Sequence, residues 1–177
     1  RRQRQMCIRD RVIGGGAFSG CAALTTVNLS QVTWINLNAF WGCTSLETLA
    51  LDNVTAIGQE AFYGCTGLET LKIPKCTEFG TYIVSGCRSL TRIEATAAGN
   101  FVDISDGRSS IERTAVFHNR DSHYGDSAFN PAKCDLVLNA DKKQGGNATP
   151  KVFSDNEWLM MPNGQLMRWN SITFAQQ

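Results

Sequence analysis

Three stretches of the chain are near copies of one another. "AFSGCAALTTVNL" begins at Ala17, "AFWGCTSLETLAL" at Ala39 and "AFYGCTGLETLKI" at Ala61, each 22 residues after the last. A longer ladder keeps the same period. Cys21, Cys43, Cys65 and Cys87 share one position, Leu24, Leu46, Leu68 and Leu90 a second, and Val27, Leu49, Leu71 and Ile93 a third. Leu29, Leu51 and Ile73 follow, with Ala95 as the weak last rung. Then come Val32, Val54 and Cys76, and finally Ile35, Ile57 and Phe79. A fixed period of roughly 20–50 residues marks a stacked solenoid. One coil cannot bury its own apolar side, whereas stacked neighbours close a continuous core.

The pattern assigns parts of each coil. The piece L-x-x-V-x-L alternates at its end, which predicts a short strand with one buried face. Val27 and Leu29 then point inward, Thr26 and Asn28 outward, and successive strands pair in parallel. The later apolar positions recur every three to four residues and suit a tight or helical return. Leu68 falls in the middle of the expected core.

The unit A-F-x-G-C-x-x-L-x-x-[VLI]-x-[LI], covering residues 13–95, resembles the BspA-like (Treponema-type) leucine-rich repeat. The resemblance implies an α/β repeat solenoid. That fold is a right-handed stack of 22-residue coils, with a parallel sheet on one face, short helical or turn returns, and degenerate capping coils at the C-terminal end.

The ends divide the chain into 1–11, 12–95 and 96–177. Run backwards, the period asks for apolar residues at positions now held by Arg2, Gln5, Cys7 and Asp10. "RRQRQMCIRDR" is therefore read as a non-native or disordered end, ahead of a natural linker or a basic arm. "MCIRDR" resembles the translation of sequencing-adapter DNA. Without this stretch, 17 − 5 = 12 basic and 16 − 1 = 15 acidic residues remain, net −3. That balance gives no reason to expect nucleic acid, which seeks a clustered basic face. Residues 12–95 hold four regular repeats. Beyond them, Leu136-x-Leu138 and Trp169-x-x-Ile172-x-Phe174 keep the strand spacing and are read as two degenerate coils. Ala128-Phe129 and Cys134 belong to the first of these, and Trp158 and Trp169 are expected to cover the last. One more strand is expected near Phe101–Ile104. No run of 18 apolar residues exists, so no transmembrane helix is expected.

Catalytic and metal chemistry find little support. The ladder cysteines form a column, where structural zinc needs four converging ligands, and their side chains point the same way, where a disulfide needs facing Cβ atoms. They are read as small buried residues, with one odd pair involving Cys76 or Cys134 left open. His118, Asp121 and His123 are close in sequence, and "DISDG" at 103–107 is acidic, but neither has the spacing of a catalytic or calcium site. "IGGGAF" lies at a coil corner and reads as turn geometry. Sequons at Asn28, Asn53 and Asn147 are taken as chance matches. No cofactor and no metal are expected.

The outward strand positions form columns. Thr26, Thr48, Thr70 and Arg92 make one; Asn28, Ala50, Lys72 and Glu94 the next; Thr25, Glu47, Glu69 and Thr91 flank them. Solenoids bind macromolecules through such extended faces. The chain is therefore expected to be a non-enzymatic binding module, with Thr48, Thr70, Lys72, Arg92 and Glu94 as the contact face. The resemblance implies a secreted or cell-surface bacterial protein that adheres to host or bacterial surface and matrix proteins. The alternative is a rigid spacer that displays another domain.

Overall fold

The computed structural model describes residues 11–96, 115–120, 127–139, 157–160 and 166–175. Its strands, in chain order, are β1 Val12–Ile13, β2 Trp34–Ile35, β3 Thr48–Ala50, β4 Ala56–Ile57, β5 Thr70–Lys72, β6 Glu78–Phe79, β7 Arg92–Glu94, β8 Asp135–Asn139, β9 Glu157–Met160, β10 Leu166–Arg168 and β11 Ser171–Ala175. Two parallel sheets run along the stack. One has the order β11-β8-β7-β5-β3, the other β1-β2-β4-β6.

The first sheet is the expected one. Thr48 pairs with Thr70 and Thr70 with Arg92, so each rung is displaced by one repeat. Leu49, Leu71 and Ile93 point inward and are at most 2% exposed, while their neighbours on the strand face out. Leu68 is fully buried, as are Leu46 and the inward Leu51 and Ile73. Thr26–Leu29 of the first copy is not a strand, and Leu24 and Val27 there are only half-buried. Among the described residues nothing stacks on their upstream side.

Of the tight or helical return expected, the tight form is found, as a second sheet. Ile13, Ile35 and Ile57 turn inward from two-residue strands, and no α-helix occurs among the described residues. The carbonyl before each strand serves the next rung. Thr33 O accepts from the N–H groups of Thr55 and Ala56, and Thr55 O from those of Thr77 and Glu78. Arg11 O does the same for Thr33 and Trp34, at 2.8 and 3.1 Å. Arg11 is therefore in register with the stack, although it fell in the stretch set aside as non-native. A carbonyl does this work whatever the side chain. The rest of that stretch lies outside the described residues.

The A-F-x-G-C segments, and residues 83–87 in the fourth coil, are turns. Each is closed by a glycine in the left-handed region: Gly20, Gly42, Gly64 and Gly86, with φ between 68° and 75°. The turn opens with a second left-handed residue, and here Gly16 gives way to Asn38, Glu60 and Tyr82. Tight stacking also dictates Gly80, where a Cβ would lie 2.2 Å from the backbone nitrogen of Gln59. Inside the turns, Phe18, Phe40 and Phe62 stack at centroid distances of 5.0 and 5.8 Å.

At the C-terminal end the strand register holds. Leu136 and Ile172 continue the column of Ile93, and Leu138 is followed by Phe174. The turn stacked on the fourth coil differs from expectation. It is built by residues 116–120, with Ile83 N–H bonding to Val116 O at 3.0 Å, not by Ala128-Phe129. Trp169 is 2% exposed and packs edge-on against Phe117 at 5.8 Å, with Phe129 at 6.0 Å. Trp158 lies in β9, which pairs antiparallel with β10 in a hairpin that the periodicity did not announce. The strand expected near Phe101–Ile104 lies outside the described residues.

Candidate interaction face

The ladder cysteines explain themselves as packing. Cys43, Cys65 and Cys87 are fully buried, and each thiol donates to a carbonyl of the preceding coil: Phe18, Phe40 and Phe62, all at 3.1 Å. Burial pushes the Cys43 thiol up to about 11 and those of Cys76, Cys87 and Cys134 up to about 12, and it also raises Cys65. Nucleophilic or metal chemistry needs the thiolate, so these groups are poor candidates for it. Cys21, in the first coil, is exposed rather than buried. The six described cysteines are free, Cys76 and Cys134 included.

Of the other chemistry candidates, His118 is among the described residues. His118 is 6% exposed, and among the described residues its Nε2 has no hydrogen-bond partner. Asp121, His123 and residues 103–107 lie outside the described residues. Among the described residues, no group of three or more His, Cys, Asp or Glu converges as a metal site does. The sequon residue Asn53 donates to Ser30 O and accepts from Lys75 Nζ, both at 2.8 Å, as one rung of a polar ladder. Asn28 caps its own turn through Ser30 N–H. Asn147 is not among the described residues.

Burial holds the pKa of His118 below its ordinary value. The unfolded chain therefore takes up this proton first as pH falls. Stability owed to the neutral imidazole is intact above about pH 6.5 and declines below it, towards the folded-state pKa. Urea midpoints measured across this range should fall with pH in the parent. In His118→Leu the slope should flatten, and an unchanged slope would rule out this histidine as the cause.

Thr48, Thr70, Lys72, Arg92 and Glu94 stand on one face. Thr48, Thr70 and Arg92 occupy successive rungs of one outward column, and Ala50, Lys72 and Glu94 the next. Arg92 Nε reaches Glu94 at 2.8 Å and Lys72 Nζ reaches the same carboxylate at 3.8 Å. The face runs beyond these five residues. Asp135 follows Arg92 in register, and Ser171 follows Asp135. Ser171 Oγ and Asn170 Nδ2 donate to Asp135 Oδ1 at 2.6 and 2.7 Å, and these bonds lower the Asp135 pKa. Leu136-x-Leu138 already placed Asp135 in the Thr48 column, so this extension was available from spacing alone. Five strands at the usual separation make a face roughly 20 Å wide. Glu47 and Glu69 flank it and are exposed.

The model of the BspA type leucine rich repeat region, built of six copies, matches residues 8–107. The chain belongs to this family. BspA-type repeats are associated with bacterial surface proteins, and the leucine-rich-repeat fold typically serves protein interaction rather than catalysis. No curated protein matches the chain. The crystal structure of the Treponema pallidum leucine-rich-repeat protein aligns with 30% identity over 48% of this chain and 41% of that one, with a TM-score of 0.46. The alignment thus spans less than half of that protein. Among the described residues, no helix is long and apolar enough to cross a membrane.

Proposed function

We propose that this BspA-type chain is a non-enzymatic adhesion module, displayed at a bacterial surface or secreted. Its first sheet would hold surface or matrix proteins through Thr48, Thr70, Lys72, Arg92 and Glu94. The observation that carries this reading is the contrast between the two sides of the same strands. The inward rungs Leu49, Leu71 and Ile93 hardly change, while the outward rungs pass from threonine to a mixed-charge cluster. Packing constrains the inward set and leaves the outward set open to a partner. Solenoids bind through such continuous faces.

The test is the triple variant Lys72→Ala/Arg92→Ala/Glu94→Ala, assayed on immobilised extracellular-matrix proteins. Exposed ion pairs contribute at most about 1 kcal/mol to stability, so the variant should unfold near the parent midpoint. Binding should weaken by roughly tenfold or more, the loss of about 1.4 kcal/mol or more of contact energy. Undiminished binding would reject this face. A parent that binds nothing above background would favour the rigid spacer instead.

A further inference from the structure

A second surface of the solenoid has a different chemistry. Residues 12–46 contain no Asp, Glu, Lys, Arg or His, in a chain that is 19% charged. The same stretch carries all four large hydrophobic side chains that stand exposed among the described residues. These are Val12, Trp34, Leu37 and Trp41, between 42% and 52% exposed. The fold does not demand them. Their columns continue as Ala56 and Glu78 after Trp34, as Gln59 and Thr81 after Leu37, and as Tyr63 and Ser85 after Trp41. Polar residues are thus accepted at each of these positions, and exposed tryptophan there is a local choice.

The geometry around Trp41 is specific. Its indole lies parallel to the Tyr63 ring, with centroids 5.8 Å apart and planes 5° apart. Tyr63 thereby supports one face of the indole. On the opposite side the neighbouring rung is Ser19, fixed by the 2.7 Å bond from Gly20 N–H to Trp41 O. Gly15 occupies the same place beside Leu37, where a Cβ would touch Leu37 Cγ at 3.6 Å. Phe18, the one bulky residue of this turn, is directed inward onto Phe40. Among the described residues, the upstream side of Leu37 and Trp41 is therefore a backbone ledge with no large outward side chain, below a flat aromatic wall.

The face of an aromatic ring is electron-rich. It suits the C–H-lined face of a pyranose, whose hydroxyl edge can bond to backbone and amide groups on the ledge. Asn36 stands before Leu37; its Oδ1 accepts from Leu37 N–H at 2.7 Å, which leaves its Nδ2 able to donate. The lack of charge argues against anionic polymers, which seek Lys and Arg, and against lipid surfaces, which favour a basic rim. The patch extends over about two rungs of 4.8 Å each. That length matches about two sugar rings.

We propose that the ledge of Gly15 and Ser19 against Leu37 and Trp41 is a subsite for a neutral pyranose glycan, separate from the charged sheet face. The experiment is affinity gel electrophoresis of the full chain through mannan, dextran, galactomannan and soluble β-glucan, with heparin as the anionic comparison. At least one neutral polysaccharide should retard the parent, with little sensitivity to salt. Trp41→Ala should weaken that retardation by roughly tenfold, as loss of a tryptophan anchor does. Ser19→Leu, which keeps Trp41 and covers its open side, should act alike. Lys72→Ala/Arg92→Ala/Glu94→Ala should be retarded as the parent is. The proposal falls if no neutral polysaccharide retards the parent, if heparin alone does, or if both ledge variants keep full retardation. It also falls if Trp41→Ala abolishes capture of matrix proteins while no glycan is bound, since the patch is then a protein contact.

Discussion

Leu68→Ala should lower the unfolding free energy by about 2–5 kcal/mol, the cost of lost burial plus the cavity left behind. Leu68 is fully buried in the middle of the described stack, with Leu46 and Leu90 in the same position of the coils on either side. Its N–H is fixed to Cys65 O at 3.0 Å, so the backbone has little freedom to close the gap. A solenoid sums coil stabilities and nearest-neighbour interfaces, and a hole at Leu68 damages two interfaces at once. Leu24 holds the same position in the first coil but is only half-buried. Leu24→Ala should therefore cost clearly less. Urea unfolding of the two variants checks both the register and the gradient. Equal costs, or a near-zero cost at Leu68, would mean that the core is not organised by this ladder.

The reasons some features were legible and others were not are physical. Side chains at Cys43, Cys65 and Cys87 meet the same surroundings in each coil, so the same residue recurs and the period shows. The register of the last strands was readable for the same cause: Leu136, Leu138, Ile172 and Phe174 still fill the columns of Ile93 and Ala95. The second sheet was missed because a strand such as Trp34–Ile35 has a single inward residue and no alternation to detect. Left-handed backbone at Asn38, Glu60 and Tyr82 was missed because only glycine, and sometimes asparagine, advertises that conformation. The turn at residues 116–120 lacks the A-F-x-G-C pattern, and its place is set by contacts with residues far away in sequence. For the candidate face, spacing supplied the columns, whereas the ion pairs among Lys72, Arg92 and Glu94 depend on side-chain reach that periodicity does not describe. The aromatic ledge escaped because a stack-forming repeat draws attention to what recurs, and Trp41 matters there by differing from Ser19 and Ser85.

Asn119→Ala should loosen the C-terminal part of the stack by about 2–4 kcal/mol while leaving the regular coils intact. The side chain of Asn119 makes three hydrogen bonds that no neighbour duplicates. Its Oδ1 accepts from Gly86 N–H at 3.1 Å and from Phe129 N–H at 2.8 Å, and its Nδ2 donates to Phe129 O at 2.8 Å. It thereby ties the fourth coil to the segment that leads into β8. Truncation removes three part-buried bonds, each with a net contribution of about 0.5–1.5 kcal/mol. Neighbouring contacts do not substitute: Arg120 N–H bonds to Ser85 Oγ, and its guanidinium pairs with both oxygens of buried Glu60 at 3.0 and 3.3 Å. Asn119→Asp keeps the acceptor for the two N–H groups and loses the donor to Phe129 O, so it should fall between parent and alanine. Amide hydrogen exchange is the measurement that separates local from global effects. In Asn119→Ala, protection should drop at Phe129 and along β8 and β11, while amides of β3, β4 and β5 keep parental rates. A uniform loss across all strands would show that the stack unfolds as one unit and that this clamp has no local role. Parental protection everywhere would show that the three bonds hold nothing that packing around Trp169 does not already hold.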